Sequence, residues 1–294
     1  MRKHPVISGI GILLAIGVVF FVVVYLLGVF TRGDGSLRHQ ARVGVVRIEG
    51  VIADSKEIVE QLDEIAENAD VKAVVLRIDS PGGGVAASQE IYQAVRKLQP
   101  QRKIVVSMGS IAASGGYMIA MAADRILANP GTITGSISAV MHFADVQELL
   151  KKIGVRSSVV KSGKFKDIGS PVRDMTPEER QLIQSIVDDI YDQFVQGIAQ
   201  DRKLPLEKVK SLADGRIFSG RQALELKLVD ELGGLQDAIA VAGRLAGIEG
   251  KPQVLYTEKK RMGLWRYLLE NAAETLKSEI KESAGHSRGA QYLF

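Results

Sequence analysis

Ser114 is the residue of this sequence best placed by its neighbours for covalent chemistry. It stands in the stretch Gly109 to Tyr117, GSIAASGGY, between a strand-like run, Lys103 to Met108, and a small-residue helical run, Gly116 to Ala123. A hydroxyl at the tight turn from a buried strand into a helix suits attack on a carbonyl. The helix N-terminus offers free backbone N–H groups and the positive end of the dipole, and both favour a developing oxyanion. The flanking glycines let a substrate backbone come close. The competing reading is that Ser114 caps the helix and the glycines serve packing. Two more stretches follow strand-like runs, where α/β sheets bind their ligands. Ser80-Pro81-Gly82-Gly83-Gly84 exposes backbone N–H groups, and Thr134-Gly135-Ser136 supplies another hydroxyl.

A serine nucleophile needs a base, and the composition narrows the choice. There is no cysteine, so thiol nucleophiles, thiolate metal sites and disulfides are excluded together. Of the four histidines, His4, His39, His142 and His286, only His142 falls within the folded body, inside the apolar run Val140-Met141-His142-Phe143. Such a histidine suits a core or an interface better than catalysis. The alternative is a lysine in or beside Ser162 to Pro171, SGKFKDIGSP, where Lys161, Lys164 and Lys166 are all present. A free lysine has a pKa near ~10.4, so about one in 2,500 is neutral at pH 7. Bringing the pKa to near 7 takes about 4.6 kcal/mol of differential destabilisation of the cation, within what burial supplies.

The elements that must position these groups are legible as alternating strands and helices. Val43 to Ile48, Val71 to Asp79, Lys103 to Met108 and Arg125 to Ala128 read as strands by β-branched content. Asp54 to Asn68 and Val85 to Leu98 read as amphipathic helices between them. This alternation predicts right-handed β–α–β crossovers and an α/β fold. Further on, Asp145 to Ile153 reads as a helix, Val155 to Val160 as a strand and 162–171 as an ordered loop. Thr176-Pro177-Glu178-Glu179 is a capping box that opens a long amphipathic helix to about Gln200. Lys208 to Ala213, Ser219 to Leu226 and Leu235 to Ala246 read as shorter helices.

Outside this body the chain changes character. Val6 to Phe30 is 25 residues without a charge. As a helix it spans roughly 37 Å, enough for a bilayer core of about 30 Å. No small-residue cleavage site follows it, which favours an uncleaved anchor over a signal peptide. Arg2 and Lys3 precede it, and the positive-inside rule then places the N-terminus in the cytoplasm. The expected organisation is a cytoplasmic N-terminus at 1–5, a transmembrane anchor at 6–30, a linker at 31–42 and a folded domain at 43–258. A C-terminal helix and tail complete it at 259–294. The net charge of +4 is spread among acids with no basic stripe, which speaks against nucleic acid as a partner.

Taken in order, SPGGG, GSIAASGGY, GTITGSIS, SGKFKDIGSP and DGRIFSGRQALELKLVDELGG resemble the signal peptide peptidase A family in its short, single-domain bacterial form. The resemblance covers roughly residues 43–250. It implies a crotonase/Clp-protease-like spiral of β–α–β units carrying an N-terminal transmembrane helix, and a membrane-anchored serine protease with a Ser–Lys dyad. Carried over by residue, it puts the nucleophile at Ser114 and the general base at Lys166, with Lys164 the competing assignment. The oxyanion hole falls on the N–H groups of Gly83 and Gly115, and Ser136 orients the lysine amine. The extra glycine, Gly84, leaves the oxyanion donor open by one residue. The resemblance further implies no metal and no cofactor. Its substrates are remnant signal peptides and other apolar segments, and its assembly is a homo-oligomeric ring, an octamer, in which the lysine can come from a neighbouring subunit. It sits in the bacterial cytoplasmic membrane with the catalytic domain on the periplasmic side. The alternatives are a catalytically silent membrane scaffold and a crotonase-like acyl-CoA enzyme, which would need carboxylates in place of Ser114 and Lys166.

Overall fold

The computed structural model describes residues 14, 16–25 and 41–257. Of the expected anchor, residue 14 and residues 16–25 are helical with exposed apolar side chains. No helix among the described residues is long and apolar enough to cross a membrane. The remainder of that span, most of the linker and the expected C-terminal helix and tail lie outside the described residues.

The body is built on a sheet of eight strands. The first three are β1 (Arg42–Glu49), β2 (Val71–Ser80) and β3 (Lys103–Ala113). Five shorter ones follow: β4 (Arg125–Ala128), β5 (Ile133–Gly135), β6 (Ile217–Ser219), β7 (Glu231–Leu232) and β8 (Gln253–Tyr256). The main path runs β6-β5-β3-β2-β1-β8, with β4 pairing β3 and β7 pairing β4. Every pairing is parallel except β5 with β6.

The central strands are apolar on both faces, as a parallel sheet covered by helices requires. On one face Val46, Ile48, Val74, Leu76 and Ile78 pack with α1 (Lys56–Glu67), α2 (Val85–Leu98) and α3 (Gly115–Met121). On the other, Val43, Val45, Ala73, Val75 and Val105 meet Ala238, Ile239, Val241 and Ala242 of the helix Leu235–Leu245. Gly44 is small because a methyl there would stand 2.8 Å from Ile65 Cδ1 of α1.

The chain then leaves this body and returns. From Ser138 to Gln193 no apolar side chain is buried. This arm holds the short helix α4 (Gln147–Lys152), the turns of the lysine loop and the first half of α5 (Pro177–Asp201). The second half of α5 rejoins the core through Phe194, Val195 and Ile198. Three short helices complete the body: α6 (Leu206–Lys210), α7 (Gly220–Glu225) and α8, the Leu235–Leu245 helix.

Two sequence expectations change. β3 does not stop at Met108; it runs on to Ala113, because Ile111, Ala112 and Ala113 find a partner in β5. Val155 to Val160, expected as a strand, is irregular and exposed. Its β-branched residues suit a strand, but no neighbouring strand exists in the arm to pair with it.

Candidate active site

Ser114 is the hinge between β3 and α3, with φ 52° and ψ −120°. A non-glycine residue with positive φ carries strain of roughly 1–3 kcal/mol and persists only where its surroundings fix it. Here they do: the Ser114 N–H donates to Gly135 O at 2.8 Å, and its carbonyl accepts from Met118 N at 2.9 Å. The side chain makes no capping hydrogen bond. The simple capping reading of Ser114 therefore does not hold, and its hydroxyl remains available. The helix it opens is fully buried, with the Tyr117 hydroxyl donating to Leu228 O at 2.9 Å.

The glycine loop after β2 comes up against this turn. Gly82 has φ 102°, and a methyl there would stand 2.8 Å from Gly115 N and 2.9 Å from Ser114 Cβ. Gly83 is clasped by Ile52: Ile52 N–H donates to Gly82 O at 2.9 Å and Gly84 N–H donates to Ile52 O at 2.8 Å. A methyl on Gly83 would overlap Ile52 O at 2.2 Å. The Gly84 N–H is thereby engaged, whereas the Gly83 and Gly115 N–H groups have no acceptor among the described residues. Gly83 N lies 3.4 Å from the point where a methyl on Gly115 would stand, so the two amides are neighbours. Two unengaged N–H groups beside a free hydroxyl can stabilise the charge that appears when that hydroxyl adds to a carbonyl.

Ser88 was not singled out by sequence, yet it props this corner. Its hydroxyl donates to Gly84 O at 2.9 Å, and a methyl on Gly115 would stand 2.2 Å from its Oγ. Ser138 was also missed. It lines the Ser114 crevice with Gly83, Met118, Ile190 and Phe194; Ser136 does not. Ser136 is nonetheless close in the chain trace, with φ 51° and its N–H donated to Arg216 O at 2.8 Å. A hydroxyl two residues along from Ser136 carries no separate signature in the sequence.

A large groove of about 1110 Å³ opens beside the crevice, between α1, α2 and α5. Met118 belongs to both, and Met121, Val59, Ala86 and Tyr92 extend the apolar surface. Gln89, Gln93, Gln193, Gln196 and Gln200 form a polar rim together with the charged Lys56, Glu60 and Glu90. Burial pushes the Tyr92 hydroxyl up to about 12, helped by its hydrogen bond to Asp201, so it stays a neutral donor. Its apolar floor can receive apolar side chains of a bound segment.

The lysines are placed elsewhere. The loop 162–171 winds through successive turns, with Lys166 N donating to Gly163 O and Ser170 N to Asp167 O. Lys161 is paired with Asp167, and Lys164 with Glu178 at 3.5 Å. Lys166 is exposed and makes no ion pair among the described residues. None of the three lines the Ser114 crevice, and neither does the exposed His142. Among the described residues no group of three or more His, Asp or Glu is gathered as a metal would require.

Comparison with known proteins places the chain among peptidases. The model of Peptidase family S49 matches residues 96–249, and that of Clp protease matches residues 41–132. The two together cover every strand but β8, the serine turn and the arm. A Synechocystis protein provisionally named a protease is 46% identical over 210 residues, covering 71% of this chain and 76% of that one. The chloroplastic serine protease SPPA of Arabidopsis thaliana is 33% identical over 231 residues, 78% of this chain and 34% of that one. A provisionally named signal peptide peptidase SppA of Enterococcus faecium is 39% identical over 206 residues, 65% of this chain and 60% of that one. The chain thus spans most of the first relative and only part of the other two. The matched stretch contains Ser114 and the lysine loop alike, and on this breadth of likeness the chain belongs to peptidase family S49, as an SppA-like peptidase.

Proposed function

We propose that the chain is a membrane-anchored serine endopeptidase in which Ser114 is the nucleophile and Lys166 the general base. The observation that carries this is the Ser114 turn: a strained serine whose hydroxyl caps nothing, beside the unengaged N–H groups of Gly83 and Gly115. Neutral Lys166 accepts the hydroxyl proton as Ser114 Oγ bonds to the peptide carbonyl carbon. Gly83 and Gly115 hold the oxyanion. The lysine then protonates the departing amine, and water, deprotonated in its turn, releases the acyl group. Ser136 orients the amine, with Ser138 a second hydroxyl within the crevice.

The lysine comes from a neighbouring subunit of a ring, an octamer by family likeness. Supporting this, the lysine loop is tied to Glu179 at the start of α5, whereas Ile190 and Phe194 of the same helix line the crevice. Ile190 is eleven positions along the helix from Glu179, about 16 Å along the axis. A lysine fixed at the far end of that rod is better placed for another protomer's serine than for its own. The exposed apolar residues of the arm, Val140, Leu149, Ile153 and Val160 among them, suit a contact between copies.

The substrates are remnant signal peptides and other apolar segments, for which the methionine-floored groove is apt. The span 6–30 anchors the chain in the cytoplasmic membrane, N-terminus inside and body on the periplasmic side. The test is cleavage of an unstructured fluorogenic peptide by wild type, Ser114→Ala, Lys166→Ala and the control Lys164→Ala. Loss in the first two variants with retention in the control is expected. Cleavage surviving Ser114→Ala would refute the mechanism. No cleavage by an assembled, folded wild type would favour a silent scaffold.

A further inference from the structure

We infer that Arg173 is a positioning residue for the lysine loop: its guanidinium clamps Asp167, next to Lys166, onto the buried Glu179 in the first turn of α5. The inference rests on the proposal that Lys166 is the base. All five guanidinium N–H groups are engaged. Nε donates to Asp167 Oδ2 at 2.9 Å, and Nη2 donates to the Asp167 carbonyl at 3.2 Å. Nη1 donates to Glu179 Oε2 at 2.9 Å and to the Asp174 carbonyl at 2.9 Å, and Nη2 donates to Glu179 Oε1 at 2.5 Å. One side chain thus grips both the carboxylate and the backbone of the residue after Lys166.

The other end of the clamp is fixed. Glu179 is buried, and its Oε2 also accepts from Thr176 N at 2.9 Å in the capping box of α5. The far half of α5 packs in the core and lines the Ser114 crevice. The loop is therefore referenced to the same rod that shapes the crevice. None of the loop's apolar side chains is buried, so polar contacts hold it: besides the clamp, Val146 N–H donates to Pro171 O at 2.7 Å and Lys164 pairs with Glu178 at 3.5 Å. Lys161 adds a second cation on Asp167. The hydrogen bonds from Arg173, and then that of Lys161, hold the Asp167 carboxyl well below the usual range, so the clamp stays charged through neutral pH. A lysine at 173 keeps the charge but loses the forked geometry that grips two carboxylates at once.

A base must stand within hydrogen-bond reach of the hydroxyl, and a misplacement of about 1 Å from a distant mutation can lower rate about a hundredfold. The experiment uses the full-length, detergent-solubilised assembly and a fluorogenic peptide. It compares wild type, Arg173→Ala, Arg173→Lys, Asp167→Asn and Lys166→Ala in kcat, KM, pH–rate profile and assembly size. Arg173→Ala is expected to lower kcat about 10- to 100-fold, with KM within about twofold. The acid limb of its kcat profile should move to higher pH as the amine loses its fixed setting. Arg173→Lys should recover part of the rate. Asp167→Asn, which leaves the Arg173–Glu179 pair intact, should show the same signature, and it decides the matter if Arg173→Ala fails to assemble. Wild-type kcat and pH profile in Asp167→Asn and in assembled Arg173→Ala, with Lys166→Ala inactive, would overturn the inference. So would a loss that only tracks the fraction of assembled protein. An active Lys166→Ala would instead overturn the assignment of the base.

Discussion

The two halves of the proposed dyad sit in regions that are specified by different physics. Ser114 belongs to the sheet body, where Val74, Val75, Leu76 and Ile78 on β2 are wholly buried and the turn is fixed by backbone hydrogen bonds. Lys166 belongs to the arm, where no apolar side chain is buried and the order comes from an arginine, two carboxylates and a capping threonine. A hydrophobic core forms within one chain and needs no partner. A charged, apolar-surfaced arm completes itself only against something else, and on the proposed reading that something is the next copy. Half of the chemistry is then built by folding and half by assembly.

Mixing breaks or sharpens this contrast most directly. If body and arm of different subunits complement each other, inactive Ser114→Ala and inactive Lys166→Ala, dissociated and reassembled together, should recover about a quarter of wild-type sites by random placement in a ring. No recovery in verified mixed assemblies would mean that the lysine acts within its own chain. Next in size is Gly83→Ala. Its methyl would overlap Ile52 O and displace the loop, so kcat should fall about 10²- to 10³-fold, the usual effect of losing an oxyanion donor, while the arm is untouched. A burial test follows. Ile78→Ala should lower unfolding free energy by about 2–5 kcal/mol in a denaturant titration. Val160→Ser, at a fully exposed site, should stay within about 0.5 kcal/mol in the isolated subunit yet weaken assembly measured by light scattering.

Acid and alkali should separate the regions least dramatically but most cleanly. The Glu179 carboxyl, held by Arg173 and then by the Thr176 backbone, is lowered from its ordinary 4.5 to about 2. A depressed carboxylate stabilises the fold above its unfolded pKa, and that contribution is lost as pH falls from about 4.5 towards about 2. Hydrogen exchange at pH 3 should therefore show the amides of 161–173 opening while those of β1 to β3 stay protected. The body has the opposite weakness: burial raises the Tyr117 hydroxyl, and it raises Tyr92 from 10.0 to about 12. Their contribution is whole below pH 10 and is lost as pH climbs above it, so alkaline unfolding should begin in the body.

The same contrast explains what could be read from the sequence. The strand–helix alternation of the body was legible because burial imposes period on its apolar residues. The glycine loop and serine turn were legible because positive φ and close approach demand small residues there. The capping box at Thr176 was found for the same reason of local necessity, and α5 starts where it says. Val155 to Val160 was misread because β-branched residues mark a strand or an exposed contact surface equally well, and only pairing tells them apart. The extension of β3 to Ala113 depended on β5, a strand of three residues with no pattern of its own. Ser88 and Ser138 escaped notice because their roles arise from backbone folded beside them, not from their neighbours in the chain. Arg173 was passed over because its partners, at 167 and 179, lie in segments that read separately as loop and helix.

β1 and β8 run in the same direction, with Arg42 level with Gln253, and the Ser114 turn lies beyond the opposite ends of the strands. The described body begins at the N-terminal ends of the strands and its candidate site lies at their C-terminal ends, with β1, at eight residues, about 26 Å high between them. Anything attached to the body at Arg42 is thus about one strand's height away from the serine turn.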